Sequence, residues 1–174
     1  MTARGLLTSK GVEVSFVDDP EDLDSWQAAV RDNTRAFYGE SISNPNNEIL
    51  DISGIAEVAH RNGVPLIIDN TVATPYLISP LAHGADIVVH SATKYIGGHG
   101  DLLGGVVATS TEWATRLRQV RAITGGLLAP TSAYQLHRGL QTLPVRVLQQ
   151  QANARPVAAF LAEHDLVDWV RYPG

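Results

Sequence analysis

Lys94 stands among hydroxyls in His90-Ser91-Ala92-Thr93-Lys94-Tyr95, just past the apolar run Ile87-Val88-Val89. An amine there can condense with a carbonyl to a Schiff base once it sheds its proton, and burial at the mouth of a strand disfavours the ammonium form. Such a place suits a phosphate-bearing aldehyde. The competing reading is a solvated lysine that merely follows a strand.

Two more strand ends bear on that choice. Leu66-Ile67-Ile68 is a buried-strand pattern closed by the carboxylate of Asp69, and Arg35-Ala36-Phe37-Tyr38-Gly39-Glu40-Ser41 leads into Ser43-Asn44-Pro45, with Asn44 in the loop. Open α/β sheets bind ligands outside the carboxyl ends of their strands, so Asn44, Asp69 and Lys94 at three successive ends form one coherent constellation. A lysine amine there is also a base able to move protons between substrate carbons.

These segments carry a family resemblance. Glu40-Ser41-Ile42-Ser43-Asn44-Pro45, Ile68-Asp69-Asn70-Thr71 with Thr74-Pro75-Tyr76, and the Lys94 segment followed by Gly97-Gly98-His99-Gly100-Asp101 resemble the trans-sulfuration (Cys/Met metabolism) enzymes that depend on pyridoxal phosphate. The likeness runs from about residue 11 to residue 174. It implies that Lys94 carries the cofactor as a Schiff base and is the catalytic residue. It further implies that Asp69 pairs with the pyridine nitrogen, that Ser91 and Thr93 bind the phosphate, and that Asn44 lies near the ring hydroxyl. The implied reaction is γ-replacement or γ-elimination on homoserine esters or sulfur amino acids such as cystathionine or methionine. The implied fold is α/β, a three-layer sandwich of a mainly parallel sheet between helices, like the large domain of fold-type I pyridoxal-phosphate enzymes but incomplete at both ends. Residues 1–174 would be a partial cofactor-binding domain without the N-terminal segment or the C-terminal small domain. A homo-oligomer, of the tetrameric kind built from dimers, is expected of the full-length protein. The alternative is a catalytically incomplete chain that acts only as a scaffold or subunit piece.

Composition bounds these readings. The chain has 174 residues, enough for one domain that buries roughly two thirds of its unfolded surface. The formal net charge is −5, and its arginines are scattered except for Arg116, Arg118 and Arg121 on one helix face, so a nucleic-acid partner is not expected. The sequence contains no cysteine, which removes disulfides, thiolate metal sites and a cysteine nucleophile. A short apolar centre near the N-terminus and the lack of a long apolar run point away from a membrane, and a cytoplasmic protein is expected.

Alternating apolar runs and helical periodicity predict the elements that position these groups. Strands are expected at residues 12–17, 36–40, 66–68, 87–90 and 106–108. Helices are expected at residues 23–31, from a Ser53 cap to Gly63, and at 112–122, 132–142 and 145–164, the last open to interruption by Pro156. The glycines after Lys94 precede a strand rather than opening a helix and miss the G-x-G-x-x-G spacing, so a dinucleotide loop is rejected. They more plausibly let backbone pass close to Lys94. His90, His99 and Asp101 lack a fixed ligand spacing, and no metal site is expected. His90 reads as a hydrogen-bonded core residue, and Ser41 and Ser43 have no visible histidine partner for a hydrolase triad.

Overall fold

Helices α1 (Ala3–Thr8) and α2 (Leu23–Ala28) precede a four-stranded sheet in the computed structural model, which describes residues 3–173. Strands β1 (Phe37–Glu40), β2 (Leu66–Asp69) and β3 (Ile87–Ser91) run parallel in chain order, and β4 (Gly105–Thr109) adds antiparallel beside β3. Parallel neighbours need crossovers. Between β1 and β2 this is α3 (Ile52–Arg61), and between β2 and β3 it is the short α4 (Thr74–Leu77) with a 3-10 turn at Pro80–His83. After β4 come α5 (Thr111–Thr124), α6 (Pro130–Leu140) and α7 (Leu143–Ala162). The fold is α/β with a mainly parallel sheet.

The two-residue period of the strands sorts their side chains. Phe37, Leu66, Ile68 and Val88 meet Ile55, Val58 and Ala59 of α3 and Trp26 of α2 in the main core, where the Trp26 and Phe37 rings lie 5.4 Å apart. Tyr38, Glu40, Asp69 and Val89 take the other face. A second cluster joins Ala92, Ile96 and Leu102 to Leu143 and Val147, with Leu136 and Val106 against it. That cluster seats α6 and α7 on the turn after β3, the one bearing Lys94.

Most elements fall where the sequence patterns place them, with four differences. Residues 12–17 alternate like a strand but join no sheet; Val12 is 46% and Phe16 68% exposed, so the segment lies at the surface and buries neither face of its alternation. The cap of α3 is Asp51, whose Oδ1 accepts from Gly54 N at 3.0 Å, rather than Ser53. Ile52 is buried, which draws the helix start forward, and Ser53 lies inside it. Pro156 does not interrupt α7, since it and Ala152, whose carbonyl it leaves unbonded, are both exposed and water can serve the freed oxygen. The helix at 23–31 also ends early, at Ala28.

Ile68→Ala is expected to destabilise the chain by about 2–5 kcal/mol, the usual cost of emptying a closed core site. Ile123→Ala, at a position 87% exposed, is expected to stay within about 0.5 kcal/mol. Denaturant unfolding of both variants measures the contrast.

Candidate functional site

Parallel pairing brings the three strand ends level. Glu40 sits opposite Asp69, and Asp69 opposite Val89, two residues before Ser91. A cleft of about 140 Å³ opens there, with Glu40, Asn44, Asp69, Thr71 and Ser91 as its polar lining. Asn44, Asp69 and Ser91, expected at the site from sequence, are therefore brought together. Thr93 and Lys94 lie on the adjoining turn.

Asp69 is held at both oxygens. Its Oδ1 accepts from Thr71 N at 2.9 Å and its Oδ2 from the Tyr38 hydroxyl at 3.3 Å. Thr71 Oγ1 in turn accepts from Ser91 N at 2.7 Å, which ties the end of β2 to the end of β3. Glu40 Oε2 accepts from Asn44 N at 3.0 Å and fixes the loop after β1. Beneath them Asn70 is fully buried: Ser41 Oγ donates to its Oδ1 at 2.7 Å, and its Nδ2 donates to the carbonyls of Thr74 and Ile78 at 3.0 and 2.9 Å.

Lys94 is exposed, not buried as a lysine at a strand mouth is expected to be. The reason is local. Strand β3 ends at Ser91, Ala92 takes the buried position, and the turn carries Lys94 outward, with Lys94 N donating to Ser91 O at 3.1 Å. The Thr93 hydroxyl accepts from Gly104 N at 3.0 Å, which pins the turn to the approach to β4. His90 is buried as expected, yet its Nδ1 has no hydrogen-bond partner among the described residues. Burial lowers its pKa below the ordinary 6.5, against the raising effects of the Asp69 charge and the Asn70 backbone.

Tyr38, Glu40 and Asn70 gain roles here that motif reading did not assign. Alternation along β1 puts Tyr38 and Glu40 on one face, but only the pairing register shows that face meeting Asp69. Partial burial, then the Asp69 charge and hydrogen bond, then the Glu40 charge push the Tyr38 phenol up to about 12. Asn70 could have been suspected as a side chain suited to fixing a turn at a strand end.

Comparison with known proteins gives this geometry a family. The profile of the Cys/Met metabolism pyridoxal-phosphate-dependent enzymes matches residues 2–174. The chain belongs to this family. It is 50% identical over 147 residues to an L-methionine γ-lyase of Brevibacterium sandarakinum, covering 84% of this chain and 37% of that protein. It is 37% identical over 205 aligned residues to an O-acetyl-L-homoserine sulfhydrylase of Leptospira meyeri, covering 94% of this chain and 46% of that one. The crystal structure of cystathionine γ-lyase from Lactobacillus plantarum complexed with L-serine superposes with a TM-score of 0.94 at 38% identity, covering 98% of this chain and 45% of that one. The chain thus spans less than half the length of these Cys/Met metabolism relatives.

The family's pyridoxal phosphate can be tested against the residues present. Its cationic ring nitrogen needs an acceptor, and Asp69 offers a carboxylate fixed by Thr71 and Tyr38. Its phosphate and ring oxygen need donors, and the Ser91 hydroxyl and Asn44 amide border the same cleft. Its aldehyde needs an amine, and Lys94 is three residues from Ser91. The donor set fits.

Tyr38→Phe is expected to remove the phenolate step near pH 12 from an ultraviolet titration of the five tyrosines. Because the folded pKa is raised from about 10, the contribution of Tyr38 to stability is present below pH 10 and lost between pH 10 and about 12. The denaturation midpoint of Tyr38→Phe should therefore fall less over that window than that of the parent.

Proposed function

We propose that this chain supplies the pyridoxal-phosphate site of an enzyme catalysing γ-elimination or γ-replacement on homoserine esters or sulfur amino acids such as cystathionine or methionine. The observation that carries the proposal is the convergence of Asp69, Ser91 and Asn44 at level strand ends, with Lys94 on the next turn. The γ-lyase and sulfhydrylase names of its relatives support the substrate class. When bound, pyridoxal phosphate supplies an electron sink for a carbanion.

On this reading each residue has a separate task. Lys94 Nζ holds the cofactor covalently and, as a free amine, takes and returns protons at substrate carbon. Asp69 keeps the ring nitrogen protonated, and Thr71 and Tyr38 hold its carboxylate in one orientation. Ser91 and Thr93 bind the phosphate, and Asn44 lies at the ring oxygen. Residues 1–174 are read as part of a larger cofactor-binding domain. The reading includes a homo-oligomer in the cytoplasm, where small amino acids are metabolised. Helix α5 supports an interface, because none of its residues is buried although it carries Val120 and Ile123. Among the described residues, no helix is long and apolar enough to cross a membrane.

Only two lysines occur in the chain, Lys10 and Lys94, so covalent trapping has an internal control. Incubation with pyridoxal phosphate, borohydride reduction and peptide mapping is expected to place the adduct on Lys94. Labelling mainly at Lys10, or equally at both, would overturn the assignment. In the full-length protein, Asp69→Asn is expected to lower turnover by about a hundredfold or more while the cofactor stays bound. Unchanged turnover with bound cofactor would remove Asp69 from its role.

A further inference from the structure

We propose that Arg146 is a positioning residue for Lys94, its guanidinium reaching from α7 to hold the turn that presents the lysine. The role rests on the reading of Lys94 as the cofactor-bearing amine. Arg146 Nη1 donates to Tyr95 O at 2.8 Å, the carbonyl next after Lys94, and Nη2 lies 3.5 Å from Ile96 O. The same Nη2 donates to Gly139 O, in the last turn of α6, at 2.8 Å, and Nε donates to Thr142 Oγ1 at 3.0 Å. One planar group thus joins the Lys94 turn, the end of α6 and the start of α7. A guanidinium has five N–H groups in a rigid fork for this, whereas an ammonium is a point charge on a flexible stem.

Two glycines make the approach possible. Gly98 has φ 76°, and a Cβ there would collide with the Arg146 guanidinium. A Cβ at Gly139 would collide with the carbonyls of Ile96 and Gly97. Helix α7 presents Leu143, Arg146 and Val147 at helical spacing, so the apolar pair seats Ile96 while the arginine takes the backbone oxygens beside it. The turn closes on the lysine itself, with Gly98 N donating to Lys94 O at 2.8 Å. Releasing Tyr95 O and displacing Gly98 would therefore free the lysine's own backbone.

Arg146→Met and Arg146→Lys remove the fork from one side of this contact, and Gly98→Ala disturbs it from the other. Amide hydrogen exchange of the chain without cofactor reads the turn directly. In each variant residues 95–100 are expected to exchange about tenfold faster, the factor that losing one charged hydrogen bond brings, while α3 exchanges as in the parent. Trapping with pyridoxal phosphate and borohydride then reads the lysine: the ratio of adduct at Lys94 to that at Lys10 should fall by a similar factor, and Arg146→Lys should not restore it. Unchanged exchange at 95–100 would show that Arg146 does not hold the turn. Faster exchange with an unchanged adduct ratio would make Arg146 a structural staple and overturn the positioning role. A parent chain that forms no adduct at Lys94 would sink the functional reading and the positioning role with it, and the exchange result would still separate that failure from a failure of the staple.

Discussion

A single buried amide side chain holds the working end of this sheet together. Asn70 follows the last residue of β2; its backbone N–H donates to Val89 O of β3, and its side chain receives Ser41 from beyond β1 and bonds the two carbonyls that bracket α4. Each such bond contributes about 1 kcal/mol net, but leaving a buried amide unsatisfied costs about 1–3 kcal/mol. The arrangement is therefore close to all-or-none. While Asn70 is satisfied, Asp69 and Thr71 on either side of it have no freedom to drift.

From that anchor the site extends by short steps. Thr71 gives its N–H to Asp69 and its hydroxyl oxygen to the amide of Ser91, so the carboxylate and the start of the Lys94 turn are set by one residue. The turn is then fixed at its far side by Gly104 against Thr93 and by the apolar insertion of Ile96 among residues of α7. Strand ends fix Asp69 and Ser91 through sheet hydrogen bonds, while Lys94 depends on tertiary contacts made from about fifty residues further along the chain. That division suits the roles proposed for these groups, since a ring-nitrogen partner stays in place and a proton-transferring amine must move.

The sheet was legible in the sequence because its strands are short, apolar and closed by polar residues. The period and the closing Asp69 located β2, and Ile87 to His90 located β3, to within a residue or so. Residues 12–17 alternate as cleanly as β1 yet stay at the surface outside the sheet, an outcome set by tertiary packing that no local pattern reveals. The candidate site divides in the same way. Asn44, Asp69 and Lys94 were visible as strand-end residues, and Ser91 and Thr93 entered only through the family resemblance. Tyr38 became relevant only through the cross-strand register, and Arg146 only through a contact spanning fifty residues. The exposure of Lys94 was equally hidden, because it depends on which residue of the turn, Ala92 or Lys94, enters the core.

The central claim is that the level ends of β1, β2 and β3 form one pyridoxal-phosphate site with Lys94. A crystal structure of the protein grown with pyridoxal phosphate tests it most directly. The account predicts continuous density between Lys94 Nζ and the cofactor, the ring nitrogen within hydrogen-bond distance of Asp69, and the phosphate beside Ser91 and Thr93. Density joined to another residue, or a cofactor whose ring nitrogen faces away from Asp69, would contradict it.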